Sequence, residues 1–91
     1  MKFEWDDAKA AANLKKHGVS FEEAATAFRD PEAVTLYDVL HSGDEDRYQL
    51  IGISSRGRVL TAVFLERGVA IRIIGARRAT RQEGQRYGSS H

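Results

Sequence analysis

The sequence predicts an α+β fold: a twisted antiparallel sheet of three to five strands, an N-terminal αα-hairpin on one face, and a short C-terminal helix. Helical apolar spacing is confined to the first thirty residues and ends at Asp30-Pro31. Beyond it the apolar residues fall into short runs of strand length. Three of those runs are joined by tight glycine-containing turns, as in an antiparallel meander. Helices and strands segregated along the chain place the helix pair on one face of the sheet.

Each element has a local reason. Phe3 and Trp5 alternate with Lys2 and Glu4, a short strand. Asp6 or Asp7 caps a helix running to about Lys16, its carboxylate accepting from free backbone N–H groups. Ala8, Ala12 and either Trp5 or Leu14 are expected to turn inward. Gly18 supplies the left-handed residue that closes this helix. Ser20-Phe-Glu-Glu23 reads as a capping box, with Glu23 reaching back and Val19 and Ala24 as a hydrophobic staple. Phe21, Ala24, Ala25 and Phe28 form one buried stripe. So short a turn between the two helices predicts the αα-hairpin.

Strands are expected over 33–40, 47–54, 59–65 and 69–76. "HSGDED", "SSRGR" and "ERG" are the turns between them. Residues 79–87 form the last helix, starting near Ala79 or Thr80, and 88–91 read as a disordered tail. The whole chain, 1–91, is expected to be a single domain.

Composition narrows the function classes. There is no cysteine, so disulfides, thiolate zinc sites and thiol nucleophiles are absent. No apolar run reaches the roughly 18 residues of a membrane span, and the N-terminus does not resemble a signal peptide. A cytoplasmic protein without a membrane partner is therefore expected. The net charge of +1 conceals a split. Residues 1–55 carry six Lys/Arg against eleven Asp/Glu; residues 56–91 carry eight arginines against Glu66 and Glu83. An arginine-rich half points to a polyanion surface, because guanidinium pairs bidentately with phosphate and stacks on bases. Intermixing of the halves as ordinary surface ion pairs is the alternative.

No Cys/His cluster, HExxH, Walker loop or GxGxxG is present, and the acidic residues lack metal-ligand spacing. No metal and no cofactor is expected. Metal-free acid–base chemistry on phosphate stays open, since RNA carries its own nucleophile in the 2′-hydroxyl. "RIIGARRATRQE" is the best stretch for it. Arg72 lies mid-strand among isoleucines, and simple alternation puts it on the face of Ala70, Ile74 and Ala76. It is either a phosphate clamp or one half of a buried ion pair with Glu45 or Asp46. Arg77, Arg78 and Arg81 come next, as a phosphate-binding cluster or a solvated basic face. Glu45, Arg47 and Gln49 point to one side at the start of a strand. His41 reads as an exposed turn residue. Tyr87 either stacks on a base or pins the last helix to the core.

Three blocks, "FEWDDAKAAANLKKHGVSFEEAATAFRDP", "EDRYQLIG" and "RIIGARRATRQEGQRY", resemble the BrnT family of small bacterial toxins, also catalogued as a domain of unknown function. The likeness runs from Phe3 to Tyr87. It implies a RelE-like or barnase-like ribonuclease fold and a metal-independent endoribonuclease that blocks translation, as the toxin of a type II toxin-antitoxin system. It also implies an antitoxin partner of ribbon-helix-helix type, a hetero-oligomer with it, and contact with DNA only through that complex. Within the family blocks fall Lys16, His17, Glu45, Arg72 and Arg77, the expected catalytic residues. Arg47, Arg67, Arg78, Arg81 and Tyr87 are the expected RNA contacts. Gly75 stands where the family commonly has serine, and Gly84 where a basic residue is usual. The latter weakens the last helix by roughly 1 kcal/mol. A non-catalytic nucleic-acid- or antitoxin-binding module is the alternative, and a domain whose arginines meet an acidic partner ranks after it.

Overall fold

The computed structural model describes residues 1–89. In chain order these form β1 (Lys2–Glu4), α1 (Asp7–His17), α2 (Phe21–Ala27), β2 (Val34–Tyr37), β3 (Arg47–Ile53), β4 (Val59–Arg67), β5 (Ala70–Arg78) and α3 (Arg81–Ser89). Gly88 and Ser89 thus belong to the last helix. The remainder of the expected tail, Ser90 and His91, lies outside the described residues.

The strands form one sheet in the order β1-β5-β4-β3-β2. The meander β3-β4-β5 is antiparallel as expected, and β2 extends it. The expectation of a wholly antiparallel sheet fails at β1, which runs parallel to β5, pairing Lys2 with Ala70 and Glu4 with Arg72. The docking of α1 accounts for this direction. β1 covers the edge of β5 only as far as Arg72, and α1 then carries the chain along the rest of β5. There Asn13 takes over the edge. Its Nδ2 donates to the carbonyls of Ala76 (2.8 Å) and Val19 (2.9 Å), and its Oδ1 accepts from the Ala76 N–H (3.2 Å). One side chain thereby satisfies backbone groups that would otherwise form an exposed strand edge.

Asp6 is the N-cap of α1, its Oδ1 accepting from Lys9 N at 3.0 Å, and Gly18 closes the helix at φ 68°. The inward assignments of Ala8 and Ala12 are overturned, both being exposed; of Trp5 and Leu14 it is Trp5 that turns inward, and Leu14 is exposed. The helix docks instead through Ala10 and Asn13, while Trp5 packs edge-on against Phe21. Four alanines scattered around α1 leave its apolar face ambiguous, so the hydrogen bonds of Asn13 set its rotation. α2 begins at Ser20, whose Oγ accepts from Glu23 N at 2.9 Å. The reciprocal half of that capping box is not formed. The Glu23 carboxylate turns to Arg58 on the β3–β4 hairpin and accepts from Arg58 Nε at 2.9 Å and from Arg58 Nη2. It also accepts from Ser54 Oγ at 2.7 Å. The Arg58 pair holds this carboxyl below the usual carboxylate range.

Both N-terminal helices lie on one face of the sheet. Val19, Phe21 and Ala24 meet Leu60, Ala62, Ile73 and Ala76, and a second cluster joins Ala27 to Leu50 and Phe64. A run of rings crosses the same face from β1 to β2: Phe3, Phe28, Phe64, Tyr48 and Tyr37, with successive centroids 5.0–5.6 Å apart. Burial of this apolar surface is the main stabilising term.

Candidate functional site

Register decides what the opposite face carries. Val63 pairs with Gly75 and Phe64 with Ile73, so Ile74 is an extra residue in β5. This β-bulge overturns the simple alternation read from the sequence. Ile73 and Ala76, three apart, both enter the helix-covered core. Arg72, paired with Leu65, and Arg77, paired with Thr61, therefore share the other face.

Across that face the residues align in rows. Arg47 pairs with Leu65, Leu65 with Arg72, and Arg72 with Glu4, so two arginines occupy one row with a single strand between them. Strands about 4.8 Å apart put their backbones roughly 10 Å from each other. The next row holds Gln49, Val63 and Gly75, and a further one Ile51, Thr61 and Arg77. Arg72 is partly shielded and its carboxylate partner is Glu4, at 3.4 Å, not Glu45 or Asp46. Strand β1 supplies that partner, and its pairing with β5 is tertiary information. Arg47 has no carboxylate within ion-pair distance among the described residues.

α3 closes one end of this face. Thr80 and Glu83 form a complete capping box: Glu83 N donates to Thr80 Oγ1 (3.1 Å) and Thr80 N to Glu83 Oε1 (2.9 Å). The same carboxylate accepts from Thr61 Oγ1 at 2.9 Å and from both Nη atoms of Arg77. The Arg77 guanidinium, with the Thr80 and Thr61 donors, holds the Glu83 carboxyl down to about 2. Tyr87 donates its hydroxyl to Asp30 Oδ2 at 2.7 Å, and this bond pushes the phenol up to about 12. Asp30 Oδ2 also accepts from Ile53 N at 2.8 Å. Tyr87 thus pins α3 to the end of α2 and to β3.

The other expected residues separate. Glu45 pairs with Arg67 at 3.0 Å, both about half exposed, at the C-terminal end of β4 beyond the Arg47–Arg72 row. Arg78 pairs with Leu60 and so projects to the helical side, opposite to Arg77. Arg81 is exposed at the start of α3. Lys16 and His17 end α1, exposed, on the helix-bearing face.

Beside Arg47 lies a feature that the sequence did not single out. The loop between β2 and β3 folds back so that Asp38 N donates to Arg47 O (2.8 Å), and Ser42 Oγ donates to Asp38 O (2.7 Å) and accepts from Arg47 N (2.9 Å). His41 Nδ1 lies 3.0 Å from Asp38 Oδ2. Burial pushes the Asp38 carboxyl up, but hydrogen bonds from the His41 ring and backbone outweigh it, and the group sits below its usual value. His41, Gly43, Asp44, Glu45, Arg47 and Leu65 line one shallow concavity. The D-x-x-H spacing was the only available signal. Arg58 and Asn13 gave none, because both act through partners distant in sequence.

A basic open face on an α+β sheet, backed by helices, is the kind of scaffold on which a small nuclease can work. The family model of the ribonuclease toxin BrnT, of type II toxin-antitoxin systems, matches residues 5–83. The chain belongs to the BrnT family of ribonuclease toxins. Its fold is similar to the 1.1 Å crystal structure of the Brucella abortus ribonuclease toxin BrnT. The two chains share 24% sequence identity with a TM-score of 0.68, over 89% of this chain and 99% of that one. No curated protein matches the chain. Among the described residues no helix is long and apolar enough to cross a membrane.

Proposed function

We propose that this chain cleaves RNA on the open face of its sheet, as a metal-independent cytoplasmic endoribonuclease neutralised by an antitoxin of ribbon-helix-helix type. The observation that carries the site is the cross-strand row of Arg47 and Arg72 on the face turned away from α1 and α2. Arg72 is already oriented by Glu4 at 3.4 Å, a contact weak enough to yield to phosphate. Arg47 is free of any carboxylate partner among the described residues. The two arginines hold adjacent parts of the RNA backbone and stabilise charge on the reacting phosphate. Arg77 supports the same face from beneath α3, and Arg67 and Arg81 extend the basic surface at its margins. Arg78, directed to the helical side, contacts RNA only if the strand wraps the sheet end. Lys16 and His17, on that side too, are not assigned a part in the chemistry. Tyr87 acts as the anchor of α3.

Among the described residues no group of three His, Asp or Glu side chains is placed to hold a metal ion. The test is purified protein, a single-stranded RNA and excess chelator. Cleavage that survives the chelator and is lost in Arg72→Ala and Arg47→Ala, with circular dichroism unchanged, is the expected result. RNA retention without cleavage by the wild-type chain would instead establish a binding module. Co-expression with a ribbon-helix-helix antitoxin, and sizing of the complex, tests the partner.

A further inference from the structure

We propose that His41 is the general base of the cleavage reaction and that Asp38 positions it, a proposal that rests on reading the open face as the RNA site. The argument begins with hydrogen-bond chemistry. An ionised carboxylate only accepts, so the short contacts of Asp38 to His41 Nδ1, 3.1 and 3.0 Å, place the ring hydrogen on Nδ1. The lone pair is then on Nε2, which has no hydrogen-bond partner among the described residues. Asp38 is well placed to hold this arrangement, with its side chain only 9% exposed while that of His41 is 64% exposed. Its carboxylate also accepts from the His41 backbone N–H at 3.2 Å and from Gln49 Nε2 at 3.5 Å. A largely shielded carboxylate orienting an exposed imidazole through Nδ1 is the arrangement that makes histidine an effective base.

Position supplies the second part. His41 and Arg47 line the same concavity, and the loop that carries His41 is fastened to Arg47 by two hydrogen bonds, from Asp38 N to Arg47 O and from Arg47 N to Ser42 Oγ, while Ser42 Oγ also donates to Asp38 O. A phosphate held by Arg47 therefore lies beside the free imidazole nitrogen. The charged groups facing His41 are Asp38 from the end of β2, Asp44 and Glu45 from the same loop, and Arg47 from β3. Glu45 is engaged with Arg67 at 3.0 Å, and a carboxylate such as that of Asp44 is intrinsically a weaker base than an imidazole.

The step balances without a cofactor. His41 Nε2 takes the proton of the ribose 2′-hydroxyl as its oxygen bonds to phosphorus. The bond from phosphorus to the 5′-oxygen breaks, and that oxygen takes a proton from water. The products are a 2′,3′-cyclic phosphate and a 5′-hydroxyl. The imidazolium then returns its proton to solvent, to which it is open. Arg47 and Arg72 carry the charge that builds on the phosphate oxygens.

The experiment uses the full chain and a single-stranded RNA oligonucleotide under single-turnover conditions, with its all-2′-deoxy counterpart to measure binding. His41→Ala and His41→Gln are expected to slow cleavage about 100- to 10,000-fold while retention of the deoxy oligonucleotide is unchanged. The wild-type rate is expected to rise with pH as a base deprotonates, and the His41 variants to lose that rise. Asp38→Asn is expected to slow cleavage without weakening retention, and Asp38→Glu to restore part of the rate. Nitrogen-15 spectra of the wild-type chain are expected to show the His41 hydrogen on Nδ1. Wild-type cleavage undiminished in both His41 variants overturns the assignment of the base. A wild-type chain that does not cleave overturns the open-face ribonuclease reading itself, so the two failures are distinct.

Discussion

The Arg77 guanidinium and the Glu83 carboxylate meet at two points, Nη1 to Oε1 at 2.6 Å and Nη2 to Oε2 at 2.9 Å. The pair joins β5 to α3 across the open face, and the same carboxylate caps α3 and accepts from Thr61. A helix containing Gly84 is weak by itself. Its attachment therefore depends on this clasp and on the bond from Tyr87 to Asp30.

Glu83→Gln keeps a side chain able to complete the capping box but removes the charge. The expected loss is about 1–2 kcal/mol, discounted for the partial exposure of Arg77. Its pH dependence has a definite sign. The Glu83 carboxyl is depressed from 4.5 to about 2, so its stabilisation is fully present above about 4.5 and is lost as pH falls through about 2. Urea unfolding of both proteins at stepped pH should show the wild-type advantage shrinking below 4.5 and closing near 2. A gap that persists there would mean that packing, not charge, holds α3.

Arg58→Ala should cost about 3 kcal/mol, the lower end for breaking a buried pair, since it leaves the Glu23 carboxylate only the exposed Arg56 guanidinium, at 3.7 Å, as a cationic partner. The Glu23 side chain is 5% exposed and Arg58 21%. Pairing Arg58→Met with Glu23→Gln should recover part of the loss, because that buried charge is then gone. Equal urea midpoints for Arg58→Ala and wild type would disprove the claim.

Two strand glycines should respond oppositely. A Cβ at Gly52 would lie 2.9 Å from the Ala27 carbonyl oxygen and 3.1 Å from the Ala33 Cβ. Gly52→Ala is expected to destabilise by roughly 1–3 kcal/mol through overpacking. At Gly75 the nearest atom, the Val63 Cβ, is 3.9 Å away. Gly75→Ala is expected to raise stability by about 0.5–1 kcal/mol, because alanine loses less backbone entropy. Thermal melts of the two variants should therefore move in opposite directions.

Arg47 and Arg72 should each contribute to the salt dependence of RNA binding. Each alanine substitution is expected to lower the slope of log affinity against log salt by about 0.7, one contact on single-stranded RNA. Lys16→Ala should leave the slope unchanged, because Lys16 lies on the helical side. Fluorescence titrations at stepped salt measure both. A full loss of slope on changing Lys16, with none on changing Arg72, would move the RNA site to the other face.

Local signals made much of the fold legible. Gly18 and Ser20 mark the corner between α1 and α2, Asp30-Pro31 lies just past the end of α2, and the glycine turns separate β3, β4 and β5. These features act within a few residues, and a chain cannot avoid stating them. The resemblance in three blocks likewise pointed to the ribonuclease toxin family that the chain proves to belong to. Tertiary structure alone decided the rest. The Ile74 bulge brought Arg72 and Arg77 to one face, and parallel pairing gave Arg72 to Glu4. Arg58 claimed Glu23 from its capping box. Each of these outcomes depends on strand register or on partners far apart in sequence. A one-residue change in register turns a side chain to the other face, and no local pattern records it.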